Sequence, residues 1–307
     1  MTAMAATSKL KAWGVATRAF AYPASVVPVI VGSAFAWYVA GSFNWGYFAL
    51  ALIAGMLYHT GCNMINDYFD YKHGLDRRDT FGGSGVLTGG MLQPGELLIG
   101  AYLCLAAGSL IGVYFVTVFG LPVLLIGIAG LIGTVFYTTT PLAMKYAALG
   151  SPLVFIEMGP LMVLGGYLVQ TGELSWNAVW VSIPVGLIVA GILQANDTRD
   201  IVHDREGGIR TIATMLGPKG ARGYLSFLLF APYAALFVLW GLEIAPWIIL
   251  LPLVTFPLAL QIHKLHREVP DELSDKLKDT PEMVAKLHMP FGLLMVIGIV
   301  AGQYFNL

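Results

Sequence analysis

Nine long apolar stretches, at about 20–40, 46–66, 96–117, 121–139, 151–169, 177–196, 223–241, 244–264 and 287–305, follow one another with polar connections between them. Each is near the ~20 residues that an α-helix needs to cross about 30 Å of hydrocarbon. The pattern predicts an all-α, polytopic membrane protein: nine transmembrane helices around a central cavity, in a single domain covering 1–307. Its rhythm suggests two tandem four-helix units, about 20–139 and 151–264, followed by a ninth helix at 287–305. The connections alternate between tight turns and longer polar segments. Those from about 67 to 95 and from about 197 to 222 are long enough to act as caps over one face. The stretch 264–288 reads as a surface amphipathic helix with solvated charges.

Composition and charge sharpen this picture. The 307 residues are 57% hydrophobic and 11% charged, against about 25% charged in soluble domains, which excludes a soluble globular protein. All 17 Lys and Arg residues fall in the N-terminal segment or in the connections after the second, fourth, sixth and eighth helices. By the positive-inside rule that side is cytoplasmic, giving an N-in, C-out topology with both long loops as cytoplasmic caps. Lys9, Lys11 and Arg18 precede the first apolar run, which has no cleavage-like site after it, so the first helix is expected to stay in the membrane. A net charge of −1 offers nothing to nucleic acid; the partner is the lipid bilayer, and the oligomeric state is left open. Cys62 and Cys104, each inside an apolar run, read as helix-packing residues.

Two acidic clusters stand out against this background. The first is Asn63-Met-Ile-Asn66-Asp67-Tyr-Phe-Asp70, continuing to Gly74 and Asp76; the second is Asn196-Asp197-Thr-Arg199-Asp200-Ile-Val-His-Asp204. Both begin where an apolar run ends, on the side that carries the basic residues. Asn66 and Asp70 are four apart, as are Asn196, Asp200 and Asp204, so on a helix each set shares one face. Gly74 lets the chain turn and bring Asp76 back. Converging carboxylates repel unless divalent cations neutralise them, and amide and carboxylate oxygens, completed by water and substrate phosphates, suit Mg²⁺. Arg18, Lys145, Arg199 and Arg210 offer cations for phosphate oxygens. The run Phe81-Gly82-Gly83-Ser84-Gly85 offers backbone amides for an anion. His59, His73 and His203 lack the spacing of a histidine metal site, and no phosphate-loop or serine-nucleophile motif occurs.

These clusters resemble the paired Asp-rich motifs of the UbiA-type intramembrane prenyltransferase superfamily. The spacing of five residues between Asp70 and Asp76 resembles the menaquinone-type branch, as do Arg18-Ala-Phe-Ala-Tyr-Pro23, the segment from Gly82 to Gly90, the segment from Tyr137 to Gly150, and the segment from Gly159 to Gly172. The resemblance implies Mg²⁺ held by Asn66, Asp67, Asp70, Asp76, Asn196, Asp200 and Asp204. It implies catalytic roles for Asp70, Asp200, Arg199 and Lys145, with Lys145, Arg199 and Arg210 on the donor's diphosphate. Arg18, Asn63 and Tyr137 would contact substrate. The implied reaction is transfer of a polyprenyl group from an allylic polyprenyl diphosphate to an aromatic acceptor, 1,4-dihydroxy-2-naphthoate, with loss of CO₂, at the cytoplasmic face of the inner (plasma) membrane. Asp197 departs from the small polar residue that relatives often carry, and the sequence leaves open whether it binds metal or faces solvent. Other acceptors, such as 4-hydroxybenzoate or homogentisate, keep the same chemistry. A cation-coupled transporter is the alternative of another class; it would place its acids near mid-membrane, where this chain offers chiefly Glu157.

Overall fold

The structure, a computed structural model, describes residues 2–77, 82–269 and 274–305. Its elements are all helices. In chain order they are α1 (Thr2–Ala16), α2 (Pro23–Ala40), α3 (Trp45–Lys72), α4 (Pro94–Phe119), α5 (Leu121–Phe136), α6 (Gly150–Ile156), α7 (Met162–Thr171), α8 (Trp176–Arg199), α9 (Ile201–Glu206), α10 (Ile212–Gly241), α11 (Phe256–Glu268) and α12 (Thr280–Phe305). A single π-helical turn, Glu157–Leu161, joins α6 to α7, and the 3-10 segment Trp247–Thr255 leads into α11. Local chemistry sets several ends. Asn44 accepts the Tyr47 amide at 3.0 Å to start α3, and Glu96 reaches back to the Gln93 amide at 3.0 Å behind Pro94 to start α4. Gly172, at φ 78°, takes the left-handed conformation that ends α7.

Among the described residues, eight segments are long and apolar enough to cross a membrane: α2, α3, α4, the α6–α7 rod, α8, α10, the stretch Trp247–Glu268, and α12. This makes the protein multi-pass. The remaining segment, α5, has 16 residues, about 24 Å at 1.5 Å per residue, which is short of a ~30 Å hydrocarbon layer. Helix ends also shift. α3 runs on to Lys72 and α8 to Arg199, so Asn66, Asp67 and Asp70 lie on a helix rather than in a loop. The segment 197–222, expected as a loop, is mostly helical, holding the end of α8, all of α9 and the start of α10. Hydropathy falls where polar side chains begin, whereas backbone hydrogen bonding continues past that point. The amphipathic helix expected over 264–288 is not formed either. α11 stops at Glu268, a 3-10 turn covers Ser274–Leu277, and α12 starts at Thr280; residues 270–273 lie outside the described set, as do Arg78 and Phe81.

Backbones approach closely where glycines remove the side chain. A Cβ at Gly32 of α2 would lie 2.1 Å from the Val163 carbonyl oxygen, and one at Gly166 of α7 would lie 2.6 Å from that of Val29. Gly159 and Gly186 meet in the same way, one's Cβ position 2.9 Å from the other's Cα. Such small-residue seams are how membrane helices associate when burial from water contributes little. The largest buried core, including Phe35, Tyr167, Val185, Leu229 and Phe291, joins α2 and α7 to α8, α10, α11 and α12. Smaller clusters join α1, α3 and α4 around Met64 and Leu97, and α4, α5 and α7 around Phe115 and Leu168. A cavity is lined from α2, α3, α4, α5, the π turn and α7.

Candidate active site

The last turns of α3 carry Asn66, Asp67 and Asp70, all buried, and α8 ends in Asp197, Thr198 and Arg199, also buried. Burying so many ionisable groups is costly unless each finds a partner. Lys145, from the connection between α5 and α6, donates to Asn66 Oδ1 at 2.9 Å and to Asp70 Oδ2 at 2.6 Å. The Tyr146 hydroxyl donates to the other oxygen of Asp70. Lys145 is itself fixed by its amide, which donates to the Tyr137 carbonyl at 2.8 Å.

Asp67 has a different surrounding. Arg18 pairs with its Oδ1, and the Ser84 amide donates to its Oδ2 at 3.3 Å. Arg18 also donates to Gly82 O at 3.0 Å, so Asp67 and Arg18 together anchor the glycine-rich loop on α3. The expectation that this run presents amides to an anion is met by a carboxylate of the chain itself. Gly74, at φ 73°, turns the chain as expected, and the amides of Leu75 and Asp76 return to Asp70 O at 2.8 and 3.2 Å. Asp76 then lies against Gly83, where a Cβ would be 2.1 Å from its carboxylate.

In the second cluster Arg199 holds Asp200 with both prongs, Nε to Oδ1 at 2.7 Å and Nη2 to Oδ2 at 2.6 Å. Its Nη1 reaches Lys278 O at 3.4 Å. Asn196 donates its amide nitrogen to Ile192 O at 3.3 Å, which leaves its amide oxygen as an acceptor. The two halves of the site are clipped together by backbone: Arg210 donates to Tyr146 O at 3.3 Å and accepts from Ala148 at 2.6 Å. The Arg210 side chain is exposed. Leu75, after the first cluster, also packs beside Gly207, after the second.

Electrostatics report the convergence. Burial and then the charge of Asp200 push the Asp204 carboxyl up to about 7, with Lys145 opposing and Asp70 of the other cluster adding. Asp76 is likewise pushed up to about 7, first by burial, then by Asp70 and Asp67. Burial alone would lower Lys145; the charge and hydrogen bond of Asp70, reinforced by Asp76 and Asp197, hold the ammonium above its usual range instead. Lys145 therefore sits between carboxylates of both clusters.

Among the described residues no three Asp, Glu, His or Cys side chains form one metal-holding group, so the donor set is one of carboxylates together with the amide oxygens of Asn66 and Asn196. Lys145 lies on the Asn66–Asp70 face, and Arg199 holds Asp200. The donor set still fits Mg²⁺, which takes one or two carboxylates and completes its shell with water and substrate phosphates. Sequence reasoning missed Tyr146, whose hydroxyl has no motif to flag it, and left Asp197 undecided; the structure buries it at 9% exposure. Asn63 sits one turn below Asn66 with its amide nitrogen buried and unpartnered, and Tyr137 is half-buried.

Comparison with known proteins places this geometry. Residues 25–284 match the UbiA prenyltransferase family. The chain is 34% identical over 293 residues to the Drosophila melanogaster UbiA prenyltransferase domain-containing protein 1 homolog, covering 94% of this chain and 79% of that protein. It is 31% identical over 301 residues to the Homo sapiens UbiA prenyltransferase domain-containing protein 1, covering 95% and 84%. Its fold is shared with a UbiA homolog from Aeropyrum pernix K1, at TM-score 0.69 and 20% identity over 91% of this chain and 97% of that one. An Archaeoglobus fulgidus UbiA homolog bound to DMAPP and Mg²⁺ aligns at TM-score 0.64 and 17% identity, over 93% and 99%. With two Asp-rich helix ends gathered around Lys145 at one end of a multi-pass helical bundle, this chain belongs to the UbiA prenyltransferase family and is a membrane prenyltransferase.

Proposed function

We propose that the chain transfers a polyprenyl group from an allylic polyprenyl diphosphate to an electron-rich aromatic ring, with 1,4-dihydroxy-2-naphthoate as the acceptor to test first. The observation that carries the reading is Lys145, half-buried between the two acidic clusters and hydrogen-bonded to Asn66 and Asp70. Mg²⁺ held by Asn66, Asp70, Asp76, Asn196, Asp200 and Asp204 would supply positive charge to the departing diphosphate. The solved Archaeoglobus fulgidus homolog with DMAPP and Mg²⁺ supports that assignment.

The protein's own residues set the rest. Lys145, kept cationic, and Arg199 bind diphosphate oxygens and stabilise the charge that grows as the allylic carbon–oxygen bond breaks. Tyr146 orients Asp70, and Asp67 with Arg18 keeps the glycine loop over the site. The bond's electron pair leaves with the diphosphate. The ring then forms a carbon–carbon bond to the allylic carbon and loses a proton, or its carboxylate as CO₂. The apolar helices below the site receive the prenyl tail. The basic connections at this end of the bundle support a cytoplasmic orientation of the site.

Product formation by the purified protein tests the proposal, with prenyl diphosphate, with and without Mg²⁺, and with dihydroxynaphthoate and 4-hydroxybenzoate in parallel. Mg²⁺-dependent prenylated naphthoquinol is the expected product, reduced at least about a hundredfold by Asp70→Asn and by Asp200→Asn. Full turnover in both variants would sink the assignment; turnover with the benzoate alone would change the acceptor and keep the mechanism.

A further inference from the structure

Glu157 lies seven residues into the α6–α7 rod, roughly 10 Å from its start, and begins the π-helical turn. Its Oε1 is buried and has no hydrogen-bond partner. The carboxyl leans into a notch on α5: a Cβ at Gly133 would lie 1.6 Å from that oxygen. Beside it is a cavity of about 180 Å³, walled by groups such as Val29, Gly55, Gly108, Phe115, Leu161 and Gly165. Only Tyr58 and Thr134 add further side-chain oxygens to this lining, and the Tyr58 hydroxyl is already paired with Ser109 at 2.9 Å. The chamber is thus apolar, with the Glu157 carboxyl and the Thr134 hydroxyl as the polar groups left to bond a guest. An ionisable group at hydrocarbon depth and a π turn each mark functional positions more often than not.

The chamber adjoins the acidic site. Cys62 of α3 has its Sγ 3.9 Å from the carbonyl oxygen of Thr134, a residue of the chamber wall. Its neighbour Asn63 presents the unpartnered amide described above. Polar groups therefore descend from Asp70 through Asn66 and Asn63 towards Glu157, and below them the walls are apolar.

We propose that this chamber seats the aromatic ring of the acceptor, with a ring hydroxyl donating to the Glu157 carboxyl; the proposal rests on the prenyl-transfer reading. An apolar cavity of about 150 Å³ takes up benzene, so 180 Å³ suits one ring or two fused rings. The lining holds no cation, so an anionic substituent is unwelcome beside Glu157. The uncharged, hydroxyl-bearing edge faces Glu157, and any carboxylate points up towards Arg18 and Lys145. Glu157 is then a positioning group that selects for a hydroxyl.

A fluorescence titration of the detergent-solubilised full chain with 1-naphthol and with naphthalene tests this without any diphosphate. Wild type is expected to bind 1-naphthol at least about tenfold tighter than naphthalene, about 1.4 kcal/mol. Glu157→Leu should erase that ratio while naphthalene still binds, and removing a buried carboxyl from apolar walls does not threaten folding. Gly165→Phe should weaken both ligands, because no atom lies within 4 Å of a Cβ there and the ring can fill the chamber. In turnover, Glu157→Leu should raise the acceptor KM and leave the donor KM unchanged. Equal binding of the two probes by wild type, or an unchanged ratio in Glu157→Leu, overturns the proposal. Discrimination by wild type with no prenyl product from any acceptor would keep the chamber and remove the reaction; product with an unchanged acceptor KM in Glu157→Leu would do the opposite.

Discussion

At the scale of single residues, the site is a set of buried charges that neutralise one another, and Lys145 is where the two clusters meet. Removing its charge by Lys145→Met leaves the Asp70 carboxylate, among the described residues, with the Tyr146 hydroxyl as its side-chain partner. Breaking a buried pair from one side costs on the order of 3 kcal/mol, because the remaining charge stays desolvated. The thermal unfolding midpoint of Lys145→Met should therefore fall below that of wild type in EDTA. Mg²⁺ offers Asp70 another positive partner, so the deficit should shrink when it is added. Equal midpoints in EDTA, or a deficit indifferent to Mg²⁺, would remove Lys145 from this role. The sequence made Asn66, Asp70, Asp200 and Asp204 visible, because four-residue spacing at the end of an apolar run has few other uses. It could not pair Lys145 with Asp70 or Arg18 with Asp67, since those partners are 75 and 49 residues apart and meet only when helices pack. Glu157 was visible as a lone acid in an apolar run, but neither its π turn nor the notch at Gly133 has a sequence signal.

At the scale of elements, hydropathy located the long helices and misplaced several of their ends. α3 and α8 outlast their apolar stretches because an unbroken backbone ladder does not depend on side-chain polarity, and those extra turns are what hold the acids in register. The packing of α2 on α7 was not legible, since Gly32 and Gly166 are two among 36 glycines and nothing marks them as a seam. Their roles make a paired test. Gly32→Ala puts a methyl 2.1 Å from the Val163 oxygen, and because that neighbour is backbone the helices themselves must part. Overpacking of this kind costs about 1–3 kcal/mol or more. Gly112→Ala on α4 meets no atom within 4 Å and gains helix propensity of up to about 1 kcal/mol. Thermal melts and the yield of monodisperse protein should fall for Gly32→Ala and hold or rise for Gly112→Ala. If the two variants behave alike, close backbone contact does not hold α2 on α7.

At the scale of the whole molecule, the remaining question is which way the acidic end faces. A polyprenyl diphosphate has a multiply charged head that cannot cross hydrocarbon unaided, so the site must open to the compartment that supplies the donor. All 17 Lys and Arg residues belong to the N-terminal segment and to the connections at that same end, whereas the turns at the other end carry Glu173 and Glu243. That asymmetry is the sorting signal for membrane insertion and predicts a cytoplasmic site. The two ends of α8 provide probes: Glu173 just before its start and Glu206 beyond its end are both exposed, and 24 helical residues, about 36 Å, lie between them. With Cys62 and Cys104 replaced, Glu206→Cys should react with an impermeant maleimide in inverted vesicles and be protected in right-side-out ones, and Glu173→Cys should show the reverse. Labelling of both from one side would mean that α8 does not span the bilayer. Clean labelling in the opposite sense would keep the fold and place the diphosphate site on the far face, and the basic residues would then need an explanation other than topology.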